Sequence, residues 1–336
     1  MRPYTEGMLL QNDFLENNTM RRFLMMAMAC VALAGAAQTP VERHGQLHVE
    51  GTQLKDAQGR DVQLRGVSMG WHNMWPRFYN GGTVERLAKD WGADVVRCSV
   101  GVAHLDSGFD CDSTAAYAVV DSIVGGAVAN GTYVLVDFHS HPNKLADAKR
   151  FFTHVAGKYG HLPNVMYEIW NEPTEVAWSE CKEYAEELIP VIRALDPDGI
   201  VVVPTPRWDQ EVDKAAENPI TDYDNLLYSL HYYATTHTQW LRDKADKARE
   251  LGLPLIMSEC ASMEHTGDGV INPKEWDEWM QYADRNGISW IAWSISDKDE
   301  TCSMLRPSAA SNGMEWKDSD LKPWAVLVKH YLKRNR

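Results

Sequence analysis

Two glutamates follow apolar segments, at positions where a carboxylate is unusual. Glu172 comes after Asn171 at the end of residues 165–170 (VMYEIW), and Glu259 ends residues 254–259 (PLIMSE). A buried carboxylate without partners is costly, so a carboxylate at such a position needs either partners or a chemical task. Two carboxyl groups can cleave a glycosidic bond, one by protonating the leaving oxygen and the other by attacking or activating water. Glu172 and Glu259 are therefore candidate catalytic residues.

Other polar side chains lie within or just after apolar segments of the same kind. They are Arg97, Asp137, His139, His231 and Tyr233, and Trp293 lies within the last of these segments. The chain also contains 13 Trp residues, whose flat apolar rings match the C–H faces of sugars. This combination indicates a site that processes carbohydrate. Asp137 and Glu168 are interpreted as structural groups that are hydrogen-bonded inside the fold.

Short apolar segments alternate with helical stretches along the chain. The segments are 62–67, 95–100, 133–138, 165–170, 200–204, 226–231, 254–259 and 290–296. Near-continuous apolar strands separated by helices predict an α/β protein with parallel strands. Eight such units close a (β/α)8 TIM barrel, whose active site lies at the carboxyl ends of the strands. Residues 47–62 predict an N-terminal β-hairpin across the barrel bottom. An open doubly wound sheet is the alternative, disfavoured because no Gly-rich phosphate loop follows any strand.

Several of these segments together resemble a known family. The most specific are VMYEIWNEP (165–173), YVLVDFH (133–139), SLHYYATTH (229–237), WIAWSISDKDE (290–300) and TPRWDQEVDKAAENP (205–219). In this order and spacing they resemble glycoside hydrolase family 5, the cellulase family, in its bacterial endoglucanase branch. The resemblance runs from about Gly45 to the C-terminus. It implies a retaining endo-β-1,4-glucanase that acts on β-1,4-linked glucan without a cofactor or metal, with Glu172 as acid/base and Glu259 as nucleophile.

The resemblance also implies roles for the surrounding side chains. Asn171 would hold the 2-hydroxyl of the sugar, and Arg97 would keep Glu259 ionised. His231 and Tyr233 would orient the two carboxylates. The further sugar contacts would be His139 on the bound sugar, Trp293 beneath the sugar being cleaved, Trp208 on the leaving-group side and Lys298 on the non-reducing side.

Three features depart from the family pattern. Cys260 and Ala261 follow Glu259, where an aromatic residue and a Gly are common, and Phe138 stands where Trp is frequent. The loop at residues 68–80 (SMGWHNMWPRFYN) has no clear match to the His often found there. Candidate sugar contacts in this loop are Trp71, His72 and Trp75. These departures leave the two carboxylates untouched and leave open the preference on the non-reducing side.

Electrostatics adds two expectations for the carboxylate pair. Repulsion between Glu172 and Glu259 across a narrow barrel is expected to raise the pKa of one of them, so that it stays protonated as the acid. Retention of configuration requires carboxyl groups about 5–5.5 Å apart, whereas inversion requires roughly 6.5–9.5 Å.

Three other functions remain open from the sequence. His139 and His141 have the spacing of a two-histidine metal site, but Pro142 follows directly and no thiol or carboxylate cluster completes the set. A non-catalytic carbohydrate-binding barrel would keep the Trp residues but usually lose one carboxylate. The same mechanism could also act on mannan, xylan or mixed-linkage glucan, because specificity depends on loop contacts to individual hydroxyls.

The N-terminal region has the pattern of an export signal. A basic start at Met20 precedes an apolar run at residues 23–34, and small residues allow cleavage after Ala36 or Ala37. Residues 1–37 are thus interpreted as an upstream extension and signal peptide, with Met20 as the alternative start. Residues 38–336 then form a single catalytic domain that is secreted or periplasmic.

Charge and cysteine content limit the partners and the cross-links. The formal net charge of −14 argues against nucleic-acid or anionic-membrane partners for the mature protein, which we expect to be a monomer. Of the six cysteines, Cys30 lies in the leader, so an odd number remains and at least one mature thiol is unpaired.

Overall fold

The protein is a closed barrel of eight parallel strands, preceded by a two-stranded antiparallel sheet. The computed structural model describes residues 38–103 and 107–334. From Thr39 onward the chain forms one compact unit. In the described part of the chain, no helix is both long and apolar enough to cross a membrane. The predicted (β/α)8 fold is confirmed, and the predicted leader at residues 1–37 lies outside the described residues.

The strands follow one another around the barrel in chain order, and the last pairs with the first. The hairpin strands are β1 (His48–Glu50) and β2 (Gln53–Lys55). The barrel strands are β3 (Arg65–Met69), β4 (Val95–Gly101), β5 (Tyr133–His139), β6 (Val165–Glu168), β7 (Ile200–Val203), β8 (Leu226–Tyr233), β9 (Leu255–Ala261) and β10 (Trp290–Ile295).

Helices cover the outside of the barrel between successive strands. The described helices include Pro40–His44, Gly81–Arg86, Ser113–Asn130, Leu145–Tyr159, Trp178–Arg193, Val212–Glu217, Gln239–Glu250, Pro273–Asn286 and Pro323–Lys333. The residues that flank the helix Pro273–Asn286 determine where it begins and ends. Asn272 caps the start of Pro273–Asn286 by accepting the Glu275 N–H, and Gly287, with φ of 65°, ends it.

The hairpin closes the barrel at the amino ends of the strands. Leu47 and Leu54 pack in one buried cluster with Val62 and Leu64 and with residues near the starts of the barrel strands, such as Ile291. This packing explains why the first barrel strand starts at Arg65, three residues later than predicted from the apolar run. Val62 belongs to the hairpin layer, since its N–H donates to the Leu54 carbonyl at 2.9 Å.

Many of the Trp residues are structural. The fully buried ones are Trp91, Trp170, Trp276, Trp279, Trp290 and Trp324. Trp276 packs edge to face against Trp290 and Trp324, and Trp279 stacks on Tyr232 with ring centroids 4.0 Å apart. Such rings supply core area, so the high Trp count alone overstates the surface available for sugars.

Four of the described cysteines are buried thiols. They are Cys98, Cys181, Cys260 and Cys302. Burial raises the pKa of each thiol, because the thiolate is poorly stabilised away from water. These side chains therefore act as small apolar core residues.

Candidate active site

Arg97 lies at the centre of the carboxyl end of the barrel. Its side chain is fully buried in β4. The guanidinium donates to Glu168 at 2.6 Å, to Glu259 at 2.9 Å and to the Asn171 amide oxygen at 2.5 Å, and it lies 3.0 Å from Asp137. Burial alone would lower the pKa of Arg97, but the surrounding carboxylates raise it well above its ordinary value. The planar guanidinium, with its several N–H donors, thus fixes the positions of three acids and one amide around it.

Two of the acids around Arg97, Glu168 and Asp137, are structural neighbours of the two candidate catalytic carboxylates. Burial raises the pKa of Glu168, but Arg97 and His231 outweigh it and bring the pKa to about 2. The pKa of Asp137 is raised, because burial outweighs the attraction of Arg97. Asp137 also lies 2.6 Å from His139 Nδ1. Burial and the charge of Arg97 therefore move the pKa values of these two acids in opposite directions.

Glu259 lies on β9 with a donor for each carboxylate oxygen. Tyr233, on the neighbouring β8, donates its hydroxyl to Oε1 at 2.8 Å, and Arg97 donates to Oε2 at 2.9 Å. The residue is 4% exposed, so it is almost fully withdrawn from solvent. Two donors fix the orientation of this carboxylate, as an attacking group requires.

Glu172 lies just beyond β6 and has histidine partners. Its Oε1 is 2.9 Å from His231 Nδ1, and its Oε2 is 3.2 Å from His141 Nε2. Repulsion between Glu172 and Glu259 alone would raise the pKa of the acid. Burial does raise the pKa of Glu172, but the contacts to His141 and His231 outweigh it, and the net pKa is lowered. The pKa of His231 is raised well above its ordinary value despite burial, by Asp209, Glu168 and Glu172.

The two catalytic candidates are close together. One oxygen of Glu172, one oxygen of Glu259 and one ring nitrogen of His231 all lie within 4.8 Å of one another. Among the residues that the structure describes, this is the one group of three or more potential ligands with metal-like spacing. Its carboxylate oxygens already have Arg97, Tyr233 or histidine partners.

The histidine pair considered for a metal site is divided between two carboxylates. His139 lies against Asp137, whereas His141 lies against Glu172. The two imidazoles thus have separate hydrogen-bond partners instead of facing a common point.

An aromatic surface lies beside the carboxylates. Trp293 is parallel to His139, with ring centroids 5.2 Å apart and planes 3° apart. Trp71 meets His139 edge to face at 4.4 Å. The Arg97 guanidinium lies 5.9 Å from the Trp293 ring centroid. In the sequence, Trp71 is one of several candidate sugar contacts in its loop. Its proximity to His139 depends on how that loop folds.

A cavity of about 570 Å³ opens from Glu172 towards solvent. Its lining includes His141, Trp208, His231, Tyr233 and Trp240. Trp208 is 38% exposed, and its backbone N–H donates to the Pro173 carbonyl at 2.8 Å, next to Glu172. The ring is therefore available to a ligand that occupies this side of the barrel mouth.

Of the predicted sugar contacts, Trp208 lines this cavity, whereas Asn171, His139 and Trp293 do not. Within the described residues, neither Lys298 nor Trp75 belongs to its lining. The Lys298 ammonium is 2.9 Å from Glu300, and its side chain is half exposed. Trp75 is half-buried and packs against the core. Both lie in loops at the carboxyl ends of strands, after β10 and β3.

Asp209 is a buried acid that the sequence analysis did not select. Its Oδ1 accepts the Thr205 N–H at 2.6 Å, and its Oδ2 lies 3.5 Å from His231 Nδ1. The backbone that delivers it is left-handed at three consecutive residues, Arg207, Trp208 and Asp209, with φ of 56–57°. Left-handed backbone at non-Gly residues has no reliable sequence signature, so neither the turn nor the buried acid was predictable.

Comparison with known proteins identifies the family. The model of the cellulase family, glycosyl hydrolase family 5, matches residues 55–299. The chain belongs to glycosyl hydrolase family 5. The predicted family and the predicted class of enzyme, a glycoside hydrolase of the endoglucanase type, are confirmed.

Individual family members show how far the similarity extends. Endoglucanase N of Pectobacterium atrosepticum is 36% identical over 310 residues, covering 90% of this chain and 69% of that protein. Endoglucanase Z of Dickeya dadantii is 38% identical over 291 residues, covering 84% of this chain and 66% of that protein. The solved catalytic domain of Thermobifida fusca endoglucanase Cel5A in complex with cellotetraose superposes with a TM-score of 0.83 at 32% identity, over 88% of this chain and 99% of that domain.

Replacing Arg97 should destabilise the fold in a pH-dependent way. Arg97→Met leaves buried acids uncompensated, and we expect a loss of about 3–5 kcal/mol in the free energy of unfolding at pH 7. In the wild type the pKa of Glu168 is about 2, so its stabilising contribution is present above its ordinary pKa and declines as the pH falls towards 2. The deficit of the variant should therefore be smaller at pH 4. Urea unfolding at both pH values measures it.

Arg77→Met is the matched control. Arg77 pairs with Asp297 at 2.7 Å while partly exposed, and such pairs contribute about 0–1 kcal/mol. A deficit for Arg97→Met that was equal at pH 4 and pH 7 would contradict the electrostatic origin and indicate lost packing instead.

Proposed function

We propose that this protein is an exported, retaining endo-β-1,4-glucanase that hydrolyses internal bonds of β-1,4-glucan. Glu172 is the acid/base and Glu259 the nucleophile. Membership of the cellulase family, similarity to endoglucanases and a related domain solved with cellotetraose support the reaction and the substrate class.

One observation carries the retaining mechanism. The nearest oxygens of Glu172 and Glu259 lie within 4.8 Å of each other. Retaining enzymes hold their carboxyl groups about 5–5.5 Å apart, whereas inverting enzymes need roughly 6.5–9.5 Å to admit a water between carboxylate and sugar. The short separation favours direct attack by Glu259 on the anomeric carbon.

In the first step, a Glu259 oxygen forms a bond to the anomeric carbon as the glycosidic C–O bond breaks. The proton of Glu172 passes to the leaving oxygen, and the departing chain leaves as an alcohol. Arg97 and Tyr233, which donate to the two Glu259 oxygens, orient this nucleophile for attack. The product is a glycosyl ester of Glu259.

In the second step, water attacks the anomeric carbon of the ester. The Glu172 carboxylate takes a proton from the water, the bond to the Glu259 oxygen breaks, and the sugar is released with its original configuration. Glu172 then carries the proton needed for the next cycle, and Glu259 is again a carboxylate.

The proton on Glu172 is shared with His231. Their contact is 2.9 Å, and the structure lowers the pKa of Glu172 while it raises that of His231. Glu172 and His231 therefore form a hydrogen-bonded acid–base pair in the free protein. Such coupled groups titrate as a unit, so transfer along this contact supplies Glu172 in its acidic form.

Neighbouring side chains are suited to bind the sugars. Arg97 donates a hydrogen bond to the amide oxygen of Asn171. The amide nitrogen is therefore left to donate to a sugar hydroxyl. Trp293, supported by its parallel contact with His139, forms the floor. Trp208 serves the leaving-group side, and Lys298 and Trp75 serve the non-reducing side.

Substitution of the carboxylates tests the reaction and the two roles. Glu259→Ala should lower reducing-sugar release from carboxymethylcellulose by at least about 10⁴-fold, because it removes the nucleophile. Glu172→Gln should lower it by about 10²–10⁴-fold, the usual contribution of a general acid. It should still form the ester from 2,4-dinitrophenyl β-cellobioside, whose leaving group needs no proton. Proton NMR of the first product then tests for retention.

Glu175→Gln is the matched control, since Glu175 is an exposed neighbour of Glu172. Assays on β-mannan in parallel test the substrate. Activity on mannan alone would keep the mechanism and overturn the glucan assignment. Unchanged activity in Glu259→Ala would overturn the assigned site, and binding without hydrolysis of either polymer would support a carbohydrate-binding barrel instead.

His141 should set the alkaline limit of activity. Its contact with Glu172 favours the ionised acid, so His141→Ala should raise the pKa of Glu172. The acid then stays protonated to higher pH, and the alkaline limb of kcat/KM should move upward. We expect about one pH unit, as a hydrogen bond to a charged group of ~1.4 kcal/mol corresponds to that shift. His330→Ala, an exposed histidine on the helix Pro323–Lys333, is the control. A downward shift would refute this role.

Export is tested by expressing the chain with its own N-terminus in a Gram-negative host. We expect mature protein in the periplasm or medium, with a mass that corresponds to cleavage after Ala36 or Ala37. Deleting residues 23–34 should retain the protein inside the cell. Uncleaved wild-type protein in the cytoplasm would contradict the proposal.

A further inference from the structure

We propose that Trp240 is a second stacking surface for the leaving-group part of the substrate, binding a sugar unit farther from the cleaved bond than the unit at Trp208. The inference rests on the proposed function and extends its site. Its ligand is a glucose unit of a β-1,4-glucan, presented with its flat C–H face to the indole.

Exposure first distinguishes Trp240 from the other tryptophans. Among the described residues, the exposed Trp side chains are Trp208, at 38%, and Trp240, at 42%. Both line the single cavity that also contains Glu172. Exposing an indole to water is unfavourable, and two such rings in one cavity indicate an apolar ligand surface.

Local contacts hold the Trp240 ring in place. Its indole N–H donates to the Thr236 carbonyl at 3.3 Å. Its ring meets His237 edge to face at 5.7 Å, and the Lys244 ammonium lies 5.5 Å from its centroid. Lys244 is in turn fixed by Glu211 at 2.8 Å. A ring that is already ordered loses little conformational entropy when a sugar stacks on it.

Trp208 and Trp240 differ in how their contacts connect them to the carboxylate region. The Trp208 backbone bonds to Pro173, the neighbour of Glu172. Trp240 is at the start of the helix Gln239–Glu250, and its ring contacts His237, whose ring centroid lies 6.5 Å from that of Tyr233. We infer from these contacts that a glucan chain leaving the carboxylates meets Trp208 before Trp240.

Polar groups beside Trp240 are suited to sugar hydroxyls. Gln210, Thr236 and His265 line the same cavity, and the Thr236 hydroxyl lies 3.3 Å from His265 Nδ1. An apolar ring bordered by neutral donors and acceptors is the arrangement that binds a sugar by both its faces and its edges.

Two substrates of different length test the inference in the mature protein. p-Nitrophenyl β-cellobioside has a short leaving group that ends before Trp240, whereas cellopentaose can occupy both rings. Trp240→Ala should lower kcat/KM for cellopentaose about tenfold, which corresponds to 1.4 kcal/mol, and should shift cleavage towards shorter leaving fragments. Activity on p-nitrophenyl β-cellobioside should be unchanged, and Trp240→Phe should retain most of the cellopentaose activity.

Leu251→Ala, an exposed substitution at the other end of the same helix, controls for general effects on that helix. Wild-type rates and cleavage positions in Trp240→Ala would overturn the inference. So would an equal loss on both substrates, since Trp240 would then act through the fold or the carboxylates.

Binding separates this inference from the proposed function. Calorimetry of cellopentaose with Glu172→Gln, with and without Trp240→Ala, measures the contact without turnover. If the wild type hydrolysed neither substrate, the proposed function would fail, while weaker binding in the double variant would still support Trp240 as a sugar contact. Equal binding in both would refute it.

Discussion

The buried Arg97 guanidinium is the interaction on which the rest of the active site depends. Ionised carboxylates in a barrel interior are costly unless a cation is buried with them in good geometry. Arg97 meets this requirement for Glu168 and Glu259, and it also orients the amide of Asn171. The position of the proposed nucleophile is thus determined by packing between barrel strands. Loops around the barrel mouth can vary without moving it.

The two catalytic candidates are the same residue type, and their partners distinguish them. Glu259 receives hydrogen bonds from Arg97 and Tyr233, which stay protonated near neutral pH. Glu172 faces His231 and His141, which can exchange protons near neutral pH. Glu259 is therefore held by fixed hydrogen-bond donors, whereas Glu172 contacts groups that can share a proton with it. This difference in partners, more than repulsion between the acids, separates the two roles.

The sequence predicted what depends on local pattern. Apolar segments that end in polar residues located the strands and the tips that carry Glu172 and Glu259, and the number of units predicted the closed barrel. The hairpin shifted one strand boundary, because Val62 packs with Leu54 below the barrel. The left-handed turn that buries Asp209 has no such pattern. The lowered pKa of Glu172 depends on His141, whose approach only the folded loop determines.

Whether the four buried cysteines are oxidised depends on whether the chain is already folded when it meets an oxidant. A thiol reacts with oxidants mainly as its thiolate and only where it is accessible, and burial denies Cys98 and Cys260 both conditions. While the chain is still unfolded, the same sulfurs are exposed and can form cross-links that block barrel closure. Once the barrel has closed, an oxidant must wait for an opening of the structure. Survival in an oxidising medium is then governed by the rate of unfolding, a kinetic property of the whole barrel.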